Sequence, residues 1–193
     1  VRAVKTHKQF EALVPKLAPK GVGALFGGFV GQDDKNPDAY IFQIFQGGTG
    51  LPDRDMYLVD NPKFEEIRTA YKSYLAKMLT HAGEKNAEAR ANAIFETEKK
   101  IADVQWTREE SSDATKVYNK LTLGELDALA PQIGMSAMLK KISPKIGNVL
   151  VAQPSAVAAT ARIFAETDIG VFKDQVMVGA LANYSGALPK AID

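Results

Sequence analysis

Cysteine is absent from this 193-residue chain, which excludes disulfides, thiolate metal sites and cysteine nucleophiles but leaves the compartment open. Histidine is scarce. His7 and His81 are the two present, far apart in the chain, so neither belongs to a helix-spaced pair of metal ligands, and both are expected on solvated helix faces. No apolar run approaches the ~20 residues of a membrane span, so none is expected in this chain. Neither sign of charge dominates: 24 Lys and Arg stand against 23 Asp and Glu, a net charge of +1. The basic residues are spread along the chain, which gives no field for nucleic acid or an anionic membrane, and no nucleic-acid partner is expected. The familiar site signatures are also missing: H-E-x-x-H, a Walker loop, G-x-S-x-G, a dinucleotide fingerprint and any cysteine–histidine cluster. The glycines at 21–23 and 47–50 are not followed by a Lys-Ser/Thr pair opening a helix, so they are not read as phosphate cradles. The pairs Glu65-Glu66 and Glu109-Glu110 fit solvated helix ends. No catalytic, cofactor-binding or metal-ligating residue is assigned, and no metal is expected to be bound by this chain alone.

What is present is an ordinary globular composition, 46% hydrophobic, enough for a core, with no repeat of fixed period and no low-complexity segment. The chain opens at Val1 directly in helical pattern and ends at Ala191-Ile192-Asp193 without an evident stop. It is therefore expected to be a piece of something longer. Its organising stretch is Gly47-Gly48-Thr49-Gly50-Leu51-Pro52-Asp53-Arg54-Asp55-Met56-Tyr57-Leu58, which joins a strand-like segment to a long helical one. Glycine opens backbone angles closed to other residues, and Pro52 fixes its own angle while disfavouring helix at Leu51. Asp53, Arg54 and Asp55 are read as geometry, through side-chain to backbone hydrogen bonds and an Arg–carboxylate pair.

Ahead of that stretch, Phe10, Leu13, Val14 and Leu17 mark one face of a helix over residues 3–18, closed by Pro19 and Gly21. The period then changes to two. Ala24, Phe26, Gly28 and Val30 alternate with Leu25, Gly27, Phe29 and Gly31, and Tyr40 to Phe45 is a second β-rich run, so a β-hairpin with a longish loop over 32–38 is expected. Asp33, Asp34, Asn36 and Asp38 crowd oxygen ligands into that loop, but the sharp-turn glycine and the closing glutamate of a calcium loop are missing.

Beyond it, Asn61-Pro62 opens a helix whose stripe is Phe64, Ile67, Tyr71, Tyr74, Leu75, Met78 and Leu79, ending at Gly83. A second helix is expected over 87–108 with Ala91, Ile94, Ile101 and Ala102 buried, Glu96–Lys100 as a surface pair, and Trp106 plugging a core. Residues 108–113 read as polar connector. Thr122-Leu123-Gly124-Glu125 is a capping box, and Pro131 ends that short helix. Met135, Met138, Leu139 and Ile142 form another short face. Val149-Leu150-Val151 reads as extended, Pro154 opens a helix with Val157, Ala161 and Phe164, and Asp168 caps a last one with Phe172, Val176 and Leu181. The expected fold is mainly α: a multi-helix lobe over residues 1–193 as a single domain, with one β-hairpin near the start and a short extended segment near 149–152.

Read as a string, Gly50-Leu51-Pro52-Asp53-Arg54-Asp55-Met56-Tyr57-Leu58 resembles the G-L-P-x-R-D-Y-Y segment of the neprilysin and endothelin-converting-enzyme family of zinc metallopeptidases, which has bacterial members. Asp33-Asp34-Lys35-Asn36 resembles the family's D-D-K-N hairpin loop. Glu96-Thr97-Glu98-Lys99-Lys100-Ile101-Ala102 is similar to its L-E-x-x-I-A helix, Val117 to Leu123 to its Y-N-K-M-T-L, and Val149 to Pro154 to the strand before P-E-Y-L. Met56 replaces the first tyrosine of the pair. The five matches run in order over nearly the whole chain.

The resemblance implies a two-lobed, largely helical enzyme around a central cavity, with this chain part of the non-catalytic N-terminal lobe that restricts access to small peptides. It implies zinc in the parent enzyme, held by H-E-x-x-H and a later glutamate that would fall after Asp193, and an arginine for the substrate carboxylate that would fall before Val1. The fragment alone is expected to be inactive. Its implied partners are the catalytic lobe of the same polypeptide and small peptide substrates, in an exported, periplasmic or extracellular setting. The competing expectation is a non-catalytic helical interaction module, or a pseudoenzyme whose later lobe has lost its zinc ligands.

Overall fold

The computed structural model describes residues 1–23, 25–184 and 186. Ala24, placed by the alternation at the head of the first strand, and the terminal Ala191-Ile192-Asp193 lie outside the described residues. In chain order the elements are α1 (His7–Leu17), a 3-10 turn (Ala18–Lys20), β1 (Phe26–Asp33), β2 (Asn36–Gln46), α2 (Asp55–Leu58), α3 (Pro62–His81) and α4 (Ala87–Val104). There follow α5 (Arg108–Ser111), β3 (Asn119–Thr122), α6 (Leu123–Leu129), α7 (Met135–Ile142), β4 (Asn148–Val151), α8 (Pro154–Glu166) and α9 (Ile169–Asn183). The fold is mainly α, as the periodicity implies. By its internal contacts the chain divides into two units, one of Val1–Ala24, Thr49–Asp103 and Thr167–Asp193, the other of Leu25–Gly48 and Val104–Glu166.

The second of these holds the β-structure, which is larger than a hairpin. Four strands form one sheet in the order β1-β2-β4-β3, in which β1 pairs antiparallel with β2, β2 parallel with β4, and β3 antiparallel with β4. The extended segment near 149–152 is thus a central strand. Val149, Leu150 and Val151 are all buried, which explains why they are apolar without alternation. Asn119–Thr122, too short and too polar to register as a strand alone, is held in extended form by pairing with β4. The hairpin turn is also tighter than expected: only Asp34 and Lys35 separate the strands, and Pro37, Asp38 and Ala39 are accommodated by a register shift beside Gln32 and Asp33.

Around the sheet, the Thr122–Glu125 capping box is present in both directions, the Thr122 hydroxyl accepting from the Glu125 amide at 3.2 Å and the Glu125 carboxylate from the Thr122 amide at 2.8 Å. A second such box, Thr107 with Glu110, turns residues read as connector into α5. The helix before it stops at Val104, so Trp106 lies beyond its end. It is half-buried rather than a core plug, and its indole N–H donates to the Ser155 hydroxyl at 2.7 Å. Its backbone is gripped by the Gln46 side chain, which donates to the Trp106 carbonyl and accepts from the Trp106 amide at 3.0 and 2.8 Å.

The other unit is helical. Thr6 caps α1 by accepting from the Gln9 amide, and Asn61 caps α3 by accepting from the Lys63 amide at 2.9 Å. One core cluster gathers Leu75, Met78 and Leu79 of α3, Ala91 and Ile94 of α4, and Val178 of α9. Tyr74, assigned to the same stripe, is 40% exposed, because one side of the stripe turns out of the packed face. Phe10 of α1 meets Phe172 of α9 with ring centroids 6.2 Å apart.

One charged lock in the sheet unit yields a prediction. Asp33 is 1% exposed; its carboxylate accepts from Lys120 Nζ at 2.7 Å, the Tyr118 hydroxyl at 2.7 Å and the Lys35 amide at 3.1 Å. Lys120, Tyr118 and the Lys35 amide together hold its pKa at about 2, below the ordinary 3.8. A depressed carboxyl stabilises the fold above its unfolded value and loses that contribution as pH falls through the folded one. Asp33→Asn is expected to lower the thermal midpoint at neutral pH and to flatten the decline between pH 3.8 and about 2. An unchanged acid profile in thermal melts would contradict the lock.

Candidate functional site

The organising stretch is shaped at two glycines. Gly48 sits at φ 83°, in the left-handed region, and a Cβ on Gly50 would stand 1.9 Å from the Tyr71 hydroxyl. The Asp-Arg-Asp triplet does serve geometry. The Asp53 carboxylate accepts from the Asp55 amide at 3.0 Å, Arg54 Nε donates to the Ala102 carbonyl at 3.2 Å, and the Arg54–Asp55 pair is a loose 3.4 Å. Leu51 and Tyr57 then enter a core cluster with Phe95 and Ala102 of α4.

At the centre of this packing lies a buried carboxylate. Glu98 of α4 is 1% exposed. Its Oε2 accepts from the Tyr57 hydroxyl at 2.8 Å and the Tyr71 hydroxyl at 2.9 Å, and its Oε1 accepts from Gln175 Nε2 at 2.8 Å. Tyr57 in turn accepts from the Gly50 and Leu51 amides at 3.1 and 2.8 Å. The bonds therefore run from the glycine-proline loop through α2 to α4, with α3 and α9 as side supports. Burial pushes the Glu98 pKa up, against the opposing pull of its Tyr57, Gln175 and Tyr71 hydrogen bonds. Burial, and next the charge of Glu98, push both phenols far above their ordinary range, so both remain O–H donors. With three donors on it and almost no exposure, this carboxylate fastens the loop rather than exchanging protons with a substrate.

A second charged group lines a surface cavity of about 500 Å³ bounded by Arg2, Gly83, Glu84, Arg90, Lys173 and Met177. Arg90 forks onto the buried Asp174 and also pairs with Glu84, Arg2 reaches Glu84, and Lys173 Nζ donates to the Arg2 carbonyl at 3.2 Å. Its cations are thus already engaged with protein oxygens.

The histidines separate. His81 is exposed as expected, whereas His7 is half-buried with Nε2 2.9 Å from the Thr167 carbonyl, because α1 and residue 167 meet in the same unit. Asp33, first of the crowded oxygens in the hairpin, is taken up by Lys120 and Tyr118. Among the described residues no three His, Asp or Glu side chains gather as a metal site would require. Glu98 itself was within reach of sequence reasoning: it falls between Ile94 and Ile101 on the face assigned to burial, and a glutamate there needs buried donors. Nothing local pointed to Tyr57, Tyr71 or Gln175 as those donors.

The model of the N-terminal region of peptidase family M13 matches residues 1–193, and the chain belongs to that family. Endothelin-converting enzyme-like 1 of Rattus norvegicus is 32% identical over 121 residues, 62% of this chain and 16% of the relative. Endothelin-converting enzyme 1 of Bos taurus is 32% identical over 120 residues, 61% of this chain and 16% of its own length. The fold is shared with Mycobacterium tuberculosis zinc metalloprotease Zmp1, at TM-score 0.89 and 23% identity, over 99% of this chain and 30% of that one. It is shared too with PepO of Lactobacillus rhamnosis, at TM-score 0.78 and 18% identity, over 99% and 31%. This chain thus spans about a sixth of the curated relatives and under a third of the solved structures. Zinc takes three or four nitrogen, oxygen or sulfur ligands, and the residues described here do not fit it.

The Glu98 network makes its own predictions. Glu98→Ala leaves Tyr57, Tyr71 and Gln175 without their acceptor and is expected to destabilise the protein by on the order of 3 kcal/mol in urea titration. Glu98→Gln keeps one acceptor oxygen and is expected to be milder. A raised carboxyl pKa gives stability that is full below the ordinary 4.5 and is lost as pH rises through the folded value. Wild type is therefore expected to lose that increment on going from acid towards neutral pH, and Glu98→Gln is not. Tyr57→Phe removes an acceptor from two loop amides and is expected to cost about 2 kcal/mol. Equal stability of all three variants and wild type would contradict the network.

Proposed function

We propose that this chain is part of the N-terminal lid lobe of a neprilysin-like zinc metallopeptidase, with the catalytic lobe elsewhere in the same polypeptide. The observation that carries the reading is the family match across residues 1–193, beside relatives of which the matched part is only 16%. In this reading zinc is held by the catalytic lobe, where it polarises a water for attack on a peptide carbonyl. This chain contributes shape: residues 1–193 form one side of an enclosure that admits short peptides and keeps folded proteins from the metal. The pinned 49–58 loop supports that role, since a wall that excludes substrates must hold its form. The parent protein is exported, to a periplasmic or extracellular setting; among the described residues no helix is long and apolar enough to cross a membrane.

The test is zinc content and short-peptide hydrolysis, measured on this 193-residue chain and on the complete gene product. Chelator-sensitive cleavage is expected only in the complete product, with folded proteins spared. Activity in neither would turn the reading to a pseudoenzyme or a helical interaction module. Tight zinc binding by the 193-residue chain would overturn the assignment of the metal to the other lobe.

A further inference from the structure

The sheet has two edge strands, β1 and β3; β1, Phe-Gly-Gly-Phe-Val-Gly-Gln-Asp, pairs on one side alone among the described residues and has no charged side chain before the buried Asp33. Exposed edge strands are normally blunted by lysine, proline or a bulge, because every second N–H and C=O points away from the sheet. Here those devices, Lys35, Pro37 and the register shift, sit at the turn end only.

Beside the edge, large apolar side chains stand in water on both faces. Val30 lies opposite Phe42, and Tyr40 is two residues further along the same side; Val30 is 62% and Tyr40 78% exposed. On the reverse face Phe29, 51% exposed, and Phe45, 37% exposed, pair their rings at 6.0 Å. The Phe45 ring covers Gly27 so closely that a Cβ there would stand 1.9 Å from it, and the Phe29 ring covers Gly31 at 2.8 Å. The glycines let these rings lie along the strand and widen the apolar surface.

We propose that this hairpin surface is the docking face for the catalytic lobe of the same polypeptide, an inference that rests on the peptidase reading above. The occupant follows from what has to be covered. A second copy pairing edge to edge would leave Val30 and Tyr40, or Phe29 and Phe45, in water, and a single extended peptide would satisfy the edge alone. A folded body that meets the edge and its flanks is needed, and the solved relatives carry about two thirds of their chain outside the part matched here. The side chains Phe29, Val30, Tyr40 and Phe45 are apolar or aromatic and uncharged, as at an interface centre, so the surface opposing them is apolar.

Hydrogen exchange on the complete gene product tests this. The amides of β1 directed away from β2 are expected to exchange at least about a hundredfold slower than their unprotected rates, at every protein concentration and without added peptide. Exchange near the unprotected rate would overturn the docking face. So would protection that grows with protein concentration, which marks a second copy, or protection that needs a short unstructured peptide. Hydrolysis assayed on the same sample keeps the two readings apart. An active peptidase with an unprotected β1 rejects the docking face alone, and a protected β1 in a protein without hydrolysis keeps the face and rejects the peptidase.

Discussion

The helical unit depends on a carboxylate taken out of water. Moving Glu98 to 1% exposure is unfavourable by itself, and the fold tolerates it because two phenols and an amide converge on its oxygens. Each donor comes from a different element, so the carboxylate can be satisfied only when α2, α3 and α9 are all correctly placed around α4. A buried polar group of this kind specifies one arrangement among the many that apolar packing alone would allow. The loop benefits last: Tyr57, oriented by Glu98, is what accepts the Gly50 and Leu51 amides.

The sheet unit uses the same device with opposite electrostatics. Asp33 has a cation, Lys120, as well as a phenol, and its carboxyl is pulled down rather than pushed up. Lys35 adds to this corner by lying 4.1 Å over the Tyr118 ring. The result is that the hairpin turn is tied to the β3 side of the sheet by charge while its apolar flanks stay exposed.

How far these features were legible in the chain differs by kind. Helices with a cap and a clean stripe, α3 with Asn61-Pro62 and α6 with Thr122 and Glu125, are local and can be read directly. The polar strand Asn119–Thr122 could not be, because its extended form comes from pairing with β4, which is distant in sequence. Trp106 misled for a related reason: large aromatics are usually buried, but here the helix ends two residues earlier and the indole turns to Ser155. The motif Gly50 to Leu58 pointed to the family, whereas the reason for its glycine at 50, the Tyr71 hydroxyl, appears only once α3 is folded against the loop.

The two polar knots each tie a stretch that resembles a motif of the M13 family to elements distant in sequence: the 50–58 loop through Tyr57 and Glu98, and the hairpin turn through Asp33, Tyr118 and Lys120. Tyr57 and Glu98 act as one unit in holding the loop, the Tyr57 hydroxyl donating to Glu98 and accepting from the Gly50 and Leu51 amides. A double-mutant cycle of Tyr57→Phe and Glu98→Ala, with stability measured by urea unfolding, tests it most directly. The second substitution is expected to do far less damage once the first is made, a coupling of about 1 kcal/mol or more. Simple additivity of the two would show that the loop is held by packing alone.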